Sequence, residues 1–121
     1  MKVEMEDSGA AKILGEACKK AGIEEASVAF RNNYEKNLVQ IWGFCATPEQ
    51  HGYGTKAMQV ICNLSDLLGY NLVLRPDYTN LKVLEKFYPR FGFKYINNKT
   101  EFLRNYSKRI YFLQKIKSIL H

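Results

Sequence analysis

The sequence predicts an α/β fold in a single domain over residues 1–121, with a mixed central sheet and flanking helices. Two stretches rich in β-branched and aromatic residues, 27–31 and 38–45, flank a polar turn and predict an antiparallel pair of strands. A glycine-bearing loop, a segment with helical apolar spacing and a short strand, 71–75, follow. A strand, a helix and a strand in this order form a right-handed unit with parallel strands, and ligands bind at the carboxyl ends of such strands.

The N-terminal part predicts a helix that Ser8 caps and Gly22 stops. Its apolar positions recur at helical spacing: Ile13, Leu14, Ala17, Cys18 and Ala21. The first seven residues are acidic and have no apolar signal core, and no stretch is long enough to span a bilayer. We therefore expect a cytoplasmic protein with no membrane partner.

The segments after the glycine loop are predicted in the same way. The loop helix is expected to end at Gly69, and Asn80 is expected to cap a further helix that Pro89 ends. Strands are predicted at 91–96 and 100–106, with a turn at 97–99. Residues 108–120 predict a basic amphipathic helix, although 110–113 could start as strand. Its side chains divide between an apolar side and a basic one: Ile110, Leu113, Ile116 and Leu120 against Lys115 and Lys117. Such a helix could pack on its own sheet or on a second subunit.

The stretch from Phe44 to Lys56 organises the candidate site. It predicts the end of a strand, a short loop with two glycines, and the first turn of a helix. A helix that begins on glycines offers backbone N–H groups and a partial positive charge to an anion, so we expect a phosphate there. The spacing matches neither a Walker loop nor a dinucleotide-binding loop.

The residues of this loop resemble a known pattern. Glu49-Gln50-His51-Gly52-Tyr53-Gly54 resembles the pyrophosphate loop, Q/R-x-x-G-x-G/A, of the GNAT superfamily of acetyl-CoA-dependent N-acetyltransferases. Phe44-Cys45-Ala46 resembles the strand that pairs with the pantetheine arm in its histone-acetylating branch. Asn80 followed by residues 84–93, LEKFYPRFGF, is similar to the later N…FYeklGF segment of the family. The resemblance covers roughly residues 38–93.

This resemblance implies a GNAT-like fold, with acetyl-CoA bound between parallel strands that splay apart at their ends. The first strand and one N-terminal helix of a full-length member are predicted to be missing, which leaves the acceptor cleft open to completion by a partner subunit, as in a homodimer. The resemblance also implies the residues that bind acetyl-CoA: Phe44, Cys45, Ala46, Thr47, Glu49, Gln50, His51, Gly52, Tyr53, Gly54, Thr55, Lys56, Asn80 and Tyr88.

The roles of these residues follow from their chemistry. The amides from Gln50 to Thr55 would bind the pyrophosphate, Gly52 and Gly54 would let the backbone approach it, and Lys56 would add charge. The backbone N–H of Cys45 or of Ala46 would polarise the acetyl carbonyl. No metal site is expected.

Tyr88 is the predicted catalytic acid, because the tyrosine of the matching family segment points toward the thioester sulfur. A phenol with a pKa of about 10 can hydrogen-bond or protonate a departing thiolate with a pKa of about 8.5. The alternative is that Tyr88 packs in the core beside Phe87.

Two positions depart from the family pattern. Glu49 stands where Gln or Arg is usual, and its carboxylate would repel a pyrophosphate unless it turns away. Ile41 occupies the position of the glutamate base of the histone-acetylating branch. Other residues that could accept the proton, directly or through water, are Glu24, Glu25, Glu35 and His51.

Charge bears on the acceptor. The chain has a net charge of +6, and residues 81–121 contain ten basic residues against two acidic ones. Small polycations favour acidic clefts, so we expect a primary amine on a protein or linked to RNA. The same basic half allows the alternative of a catalytically weak CoA-binding module, or of a nucleic-acid or protein interaction module on the same scaffold.

The three cysteines have no metal-ligand spacing. Cys18 and Cys62 are predicted to be buried free thiols on helix faces. The only potential histidine partners of Cys45 are His51, in the loop, and His121, at the terminus, which argues against cysteine-based catalysis.

Overall fold

The computed structural model describes residues 1–47, 52–76, 81–96 and 101–120. It contains six strands and four α-helices, with a 3₁₀ helix at Tyr88–Phe91. In chain order the elements are β1 Lys2–Met5, α1 Gly9–Lys19, β2 Ala26–Asn32, β3 Leu38–Ala46, α2 Tyr53–Leu68, β4 Asn71–Leu74, α3 Leu81–Phe87, the 3₁₀ helix, β5 Lys94–Ile96, β6 Glu101–Arg104 and α4 Lys108–Leu120.

The strands form one mixed sheet in the order β1-β2-β3-β4-β6-β5. The predicted antiparallel pair is β2 with β3, and the predicted parallel pair is β3 with β4, joined through α2. β6 pairs antiparallel with both β4 and β5. The mixed α/β fold expected from the sequence is therefore confirmed.

The expectation that no strand precedes the first helix was wrong. β1 pairs parallel with β2, with Val3 opposite Val28 and Met5 opposite Phe30. β1 is a short edge strand that alternates charged and apolar residues, so its inward face is only half-buried. Gly15 lets α1 lie close on it, because a Cβ atom there would meet Met5 Sδ at 2.7 Å.

The core lies between the sheet and the helices α1 and α2. Its sheet side includes the predicted inward pair Val28 and Phe30, and its helix side includes Leu14, Met58 and Ile61. The two helix cysteines, Cys18 and Cys62, are buried free thiols as predicted, and burial raises the pKa of each to about 12.

One apolar position predicted for the first helix instead faces solvent, since Ile13 of α1 is 51% exposed. The buried positions of α1, which include Ala11, Leu14 and Cys18, form a narrower stripe than the predicted face, and Ile13 lies at its margin.

Ser8 is the N-cap residue of α1, but its hydroxyl makes no capping bond. Asn32, at the end of β2, caps the helix instead: its Oδ1 accepts a hydrogen bond from Ala11 N at 2.9 Å, and its Nδ2 donates to Ser8 O at 2.8 Å. The glycine stop of α2 is confirmed, since Gly69 has a φ of 76° at the C-cap.

Several predicted boundaries in the C-terminal part were wrong. The strand predicted at 91–96 begins at Lys94, because Tyr88–Phe91 forms a 3₁₀ helix that Gly92 ends with a φ of 91°. The strand predicted at 100–106 ends at Arg104 rather than at Tyr106, and residue 100 lies outside the described residues. α4 is helical from Lys108, so the strand alternative at 110–113 was wrong. The predicted cap Asn80 and the turn 97–99 lie outside the described residues.

Within the described ranges, no helix combines the length and the apolar composition needed to cross a lipid bilayer.

Candidate functional site

The site begins where β3 extends beyond the end of β4, its parallel neighbour. The register of β3 with β4 runs from Leu38 opposite Asn71 to Ile41 opposite Leu74, where β4 ends. β3 continues to Ala46 and over this length pairs with β2. Among the described residues, no strand therefore pairs beyond Ile41 with the edge of β3 that faces away from β2, and we call this part of β3 the uncovered edge.

A β-bulge marks the same point. Trp42 lies opposite Ala29 and Cys45 lies opposite Ser27, so two residues of β3 stand against one residue of β2. Gly43 is one of the two and has a φ of 56°, a conformation that glycine adopts without strain. The bulge shifts by one residue which side chains of β3 face each side of the sheet, just before Cys45 and Ala46, the two predicted polarisers of the acetyl carbonyl.

The register decides between the two predicted carbonyl polarisers, Cys45 and Ala46. Thr47 N donates a hydrogen bond to Glu25 O at 2.8 Å, which makes these residues a hydrogen-bonded antiparallel pair. The next pair along, Ala46 with Ala26, is then non-hydrogen-bonded, and Cys45 with Ser27 is hydrogen-bonded again. The N–H of Cys45 therefore faces β2, whereas the N–H of Ala46 faces the uncovered edge.

Side chains alternate across this strand in the same way. Phe44 faces α3, where its ring stacks on Phe87 at a centroid distance of 6.4 Å. Cys45 lies on the other face of the sheet, where its Sγ is 2.9 Å from Ser27 Oγ. The end of β3 thus separates an aromatic side from a polar side.

The start of α2 lies beside this edge. Gly52 is its N-cap residue with a φ of 81°, and the first intrahelical bond runs from Lys56 N to Gly52 O at 3.1 Å. The N–H groups of Gly54 and Thr55, which precede that bond, are not used within the helix. The first turn contains no acidic residue. This helix end is therefore electropositive.

Three elements meet around Gly54. A Cβ atom on this residue would lie 3.7 Å from Ala46 Cβ and 3.9 Å from Phe87 Cζ, which is ordinary van der Waals contact. One residue further along, Thr55 Oγ1 accepts a hydrogen bond from Arg90 Nη2 at 3.4 Å. We call this region, made of Phe44, Ala46, Gly54, Thr55, Phe87 and Arg90, the α2 N-terminal site; Tyr88 is the residue next to Phe87 and lies behind it in the core.

The sequence had indicated Arg90 only as part of a basic half, not as a site residue. Its guanidinium lies over the rings of Phe87 and Phe91, at 5.3 Å and 5.7 Å from their centroids. A cation at the positive end of a helix is unfavourable by itself. Arg90 and the exposed Lys56 together therefore make the α2 N-terminal site suited to an anion.

Tyr88 is buried in the core and packs beside Phe87, as the alternative prediction from the sequence stated. Its ring centroid lies 5.1 Å from that of Phe87, 5.5 Å from that of Phe93 and 5.4 Å from that of Phe102. Burial raises its pKa to about 12, so the phenol stays protonated at neutral pH. Full proton transfer to a thiolate with a pKa of about 8.5 would be unfavourable, so donation of a hydrogen bond is the role this environment favours.

A buried ion pair, which the sequence did not indicate, holds the turn that carries Tyr88. Arg104 Nη1 and Nη2 donate to Asp66 Oδ1 and Oδ2 at 2.8 Å and 3.0 Å, and Arg104 Nε donates to Phe91 O at 2.6 Å. Asp66 Oδ1 also accepts a hydrogen bond from Ser107 N at 2.8 Å. Burial alone would lower the pKa of Arg104, but its hydrogen bonds to Asp66 and the charge of that carboxylate raise it above its ordinary value.

A groove opens on the polar side of β3. Its volume is about 340 Å³, and it is lined by Lys2, Glu24, Glu25, Ala26, Ser27, Cys45 and Thr47. Two of the four possible bases, Glu24 and Glu25, therefore lie next to the end of β3. Glu35 precedes the nine residues of β3, about 30 Å away along the strand, which removes it as a candidate base.

Most of the predicted site residues that the structure describes lie near the end of β3, but they divide between its two sides. Phe44, Ala46, Gly54, Thr55 and Tyr88 lie in or beside the α2 N-terminal site, whereas Cys45 and Thr47 line the groove. Gly52, Tyr53 and Lys56 belong to the start of α2. Glu49, Gln50, His51 and Asn80 lie outside the described residues.

Among the described residues, no group of three or more His, Cys, Asp or Glu side chains is arranged to hold a metal ion. Comparisons of the chain with protein-family models, with curated proteins and with solved structures gave no match.

Proposed function

We propose that this protein is an acetyl-CoA-dependent N-acetyltransferase of the GNAT type that transfers an acetyl group to a primary amine. The observation that carries the proposal is the meeting of the uncovered edge of β3, the N-terminus of α2 and the turn that holds Tyr88. These are the elements to which the sequence motifs assign pantetheine, pyrophosphate and thioester.

Acetyl-CoA would lie along the uncovered edge of β3. The pantetheine amides would pair with the backbone of β3 as a neighbouring strand does, and the pyrophosphate would reach the N–H groups of Gly54 and Thr55. Arg90 and Lys56 would add charge to that contact. The aromatic side chains Phe44 and Phe87 would exclude water from the arm.

The reaction needs three groups near the carbonyl. The neutral amine nitrogen attacks the carbonyl carbon, a C–N bond forms, and the oxyanion receives a hydrogen bond from Ala46 N–H. The C–S bond then breaks, and the departing thiolate is stabilised by a hydrogen bond from the Tyr88 hydroxyl. The ammonium proton passes to Glu24 or Glu25, directly or through water.

The acceptor would enter from the groove on the opposite side of β3, where Glu24 and Glu25 can attract a cationic amine, which would lose one proton to solvent before it attacks as the neutral amine. The scarcity of acidic residues that disfavours small polycations is a property of the C-terminal half, whereas this groove takes its carboxylates from the N-terminal half. The groove is open to the surface, which suits an amine that projects from a larger molecule. We therefore keep a protein or RNA-linked amine as the proposed acceptor.

The test measures release of the CoA thiol with a panel of acceptors: a lysine peptide, an aminoacyl-tRNA and spermidine. Tyr88→Phe is expected to lower kcat about 10²- to 10³-fold with little change in KM for acetyl-CoA, because it removes a hydrogen bond made in the transition state. Glu24→Gln with Glu25→Gln should raise KM for the amine. Glu35→Gln, at the far end of β3, is the matched control and should change neither constant.

One observation favours the second candidate, a CoA-binding module with little turnover. Ile41 stands where the histone-acetylating branch has its base, and it is buried in the core, so water cannot take over that position. This candidate predicts acetyl-CoA binding without thiol release on any acceptor. Turnover only on spermidine would instead contradict the proposed acceptor class and leave the enzyme assignment standing.

A further inference from the structure

The helix α4 is held against the protein by one side. A Cβ atom on Gly69 would lie 2.9 Å from Tyr111 Cε2, so the Tyr111 ring packs directly on the end of α2. The ring of Tyr106 packs edge-on against it at 5.6 Å. The preceding Ser107 is fixed through its backbone N–H by Asp66 and accepts a hydrogen bond from Ile110 N at its Oγ. These contacts set which side of α4 faces outward.

The outward side of α4 is largely apolar, with the exposed Arg109 at its N-terminal end. Phe112, Leu113, Ile116 and Ile119 are exposed by 59%, 53%, 54% and 82%. At about 100° per residue these four side chains fall within an arc of about 120°, directed away from Tyr111. Large apolar side chains clustered on one exposed helix face indicate an interaction site for another molecule or for a membrane.

The charges of α4 complement this arc. The helix contains four basic residues, Lys108, Arg109, Lys115 and Lys117, and its sequence KRIYFLQKIKSIL has no acidic residue. Lys115 and Lys117 precede and follow Ile116, so they lie about 100° to either side of it and border the apolar arc. Long basic side chains in this position can extend toward anionic groups while the apolar residues between them are buried.

The charges also decide among possible occupants. A second copy of α4 would bring another four cations and no carboxylate, so self-association through this face would be repulsive. A nucleic acid would neutralise the cations but leave the apolar arc in water. An anionic bilayer surface satisfies both, because its headgroups are negative and its acyl boundary accepts apolar side chains.

We propose that α4 docks this protein on the surface of an anionic lipid bilayer. Phe112, Leu113, Ile116 and Ile119 insert into the boundary between headgroups and acyl chains, and Lys115 and Lys117 contact the headgroups. The helix lies in the plane of the surface and does not cross it. This proposal replaces the expectation from the sequence that the protein has no membrane partner, and it does not depend on acetyl transfer.

The experiment measures binding of the full chain to vesicles by flotation. Vesicles of equimolar phosphatidylcholine and phosphatidylserine should bind the protein at least tenfold more tightly than vesicles of phosphatidylcholine alone. Lys115→Gln with Lys117→Gln should weaken binding to the anionic vesicles by roughly fivefold for each lysine. Lys12→Gln with Lys19→Gln, on exposed positions of α1, is the charge-matched control and should leave binding unchanged.

A second variant separates insertion from simple charge attraction. Phe112→Ser with Ile116→Ser removes one edge contact, that of Phe112 with Tyr111 at 5.9 Å, so the melting temperature should fall only slightly, yet vesicle binding should be lost. Equal binding to neutral and anionic vesicles, or loss in the α1 control equal to that in the α4 lysine variant, would overturn the proposal. A concentration-dependent dimer that Phe112→Ser abolishes, without vesicle binding, would assign the face to a second copy instead and also overturn it.

Discussion

Replacing Asp66 by asparagine is expected to lower the free energy of unfolding by about 3 kcal/mol, because it removes one charge of a buried pair and leaves the other. Asp66 accepts two hydrogen bonds from Arg104 and one from Ser107, all between 2.8 and 3.0 Å. The two side chains are only 9% and 12% exposed. An asparagine keeps one oxygen, but its NH₂ group would face a guanidinium donor.

The size of the effect on the melting temperature follows from the length of the chain. An unfolding entropy of about 2.1 cal/mol/K per residue gives about 0.25 kcal/mol/K for 121 residues. A loss of about 3 kcal/mol therefore corresponds to a fall of about 12 °C, measured by calorimetry or circular dichroism. Because Arg104 also holds Phe91 O, the near-ultraviolet signal of the aromatic residues around Tyr88 should change as well.

The matched control is the ion pair of Arg75 with Glu101, whose charged atoms are 4.0 Å apart and whose arginine side chain is 73% exposed. Arg75→Gln should change stability by less than about 1 kcal/mol, since exposed pairs contribute little. Equal shifts in Asp66→Asn and Arg75→Gln would refute the reasoning that burial makes the first pair important. Replacing Asp66 and Arg104 together by leucine and methionine should recover part of the loss, because no unpaired charge is then buried.

Further predictions concern the glycines of α2 and alkaline pH. Gly52→Ala should lower the free energy of unfolding by about 1–2 kcal/mol, because Gly52 has a φ of 81°. Gly54→Ala should leave it unchanged or raise it by up to about 1 kcal/mol, because a Cβ atom fits there and the helix gains from alanine. Chemical denaturation measures both variants, and equal effects would contradict the assigned conformations. Burial raises the pKa of Cys18 and Cys62 from 9.0 to about 12 and that of Tyr88 from 10.0 to about 12. As the pH rises, the unfolded chain therefore loses these protons before the folded chain does. The free energy of unfolding keeps its full value below pH 9 and falls as the pH rises toward 12. The slope is about 1.4 kcal/mol per pH unit for each group that is deprotonated in the unfolded chain but still protonated in the folded one. Denaturation midpoints at pH 8 to 11 test this, and a flat profile would contradict it.

Elements with local signals could be predicted from the sequence. β2, β3 and β4 are apolar runs between turn residues, and α2 is bounded by Gly52 and Gly69, which both adopt positive φ. β1 was missed because its alternating charged residues, Lys2 and Glu4, resemble a solvated N-terminus. Its pairing with β2 supplies the half-buried face that the sequence pattern alone does not show.

The geometry of the site depends on contacts between distant residues, which spacing in one sequence does not indicate. Arg90 reaches Thr55 across 35 positions, and Arg104 reaches Asp66 across 38. The choice of Ala46 over Cys45 depends on the bulge at Gly43, and a shift of one residue in that register would reverse it. The predicted order of strand and helix is present, with β3 ending at Ala46 and α2 beginning at Tyr53, and the fold decides which backbone atoms face the uncovered edge.

The most direct test of the central claim is a calorimetric titration of the protein with acetyl-CoA beside Gly54→Glu and Gly54→Ala. The space around Gly54 admits a Cβ atom, and a carboxylate in the first turn of a helix is favourable, so Gly54→Glu should fold with an undiminished melting temperature. We expect micromolar binding that Gly54→Ala preserves and that Gly54→Glu abolishes, because the added carboxylate would repel the pyrophosphate. No binding at millimolar acetyl-CoA, or equal binding by a folded Gly54→Glu variant, would contradict it.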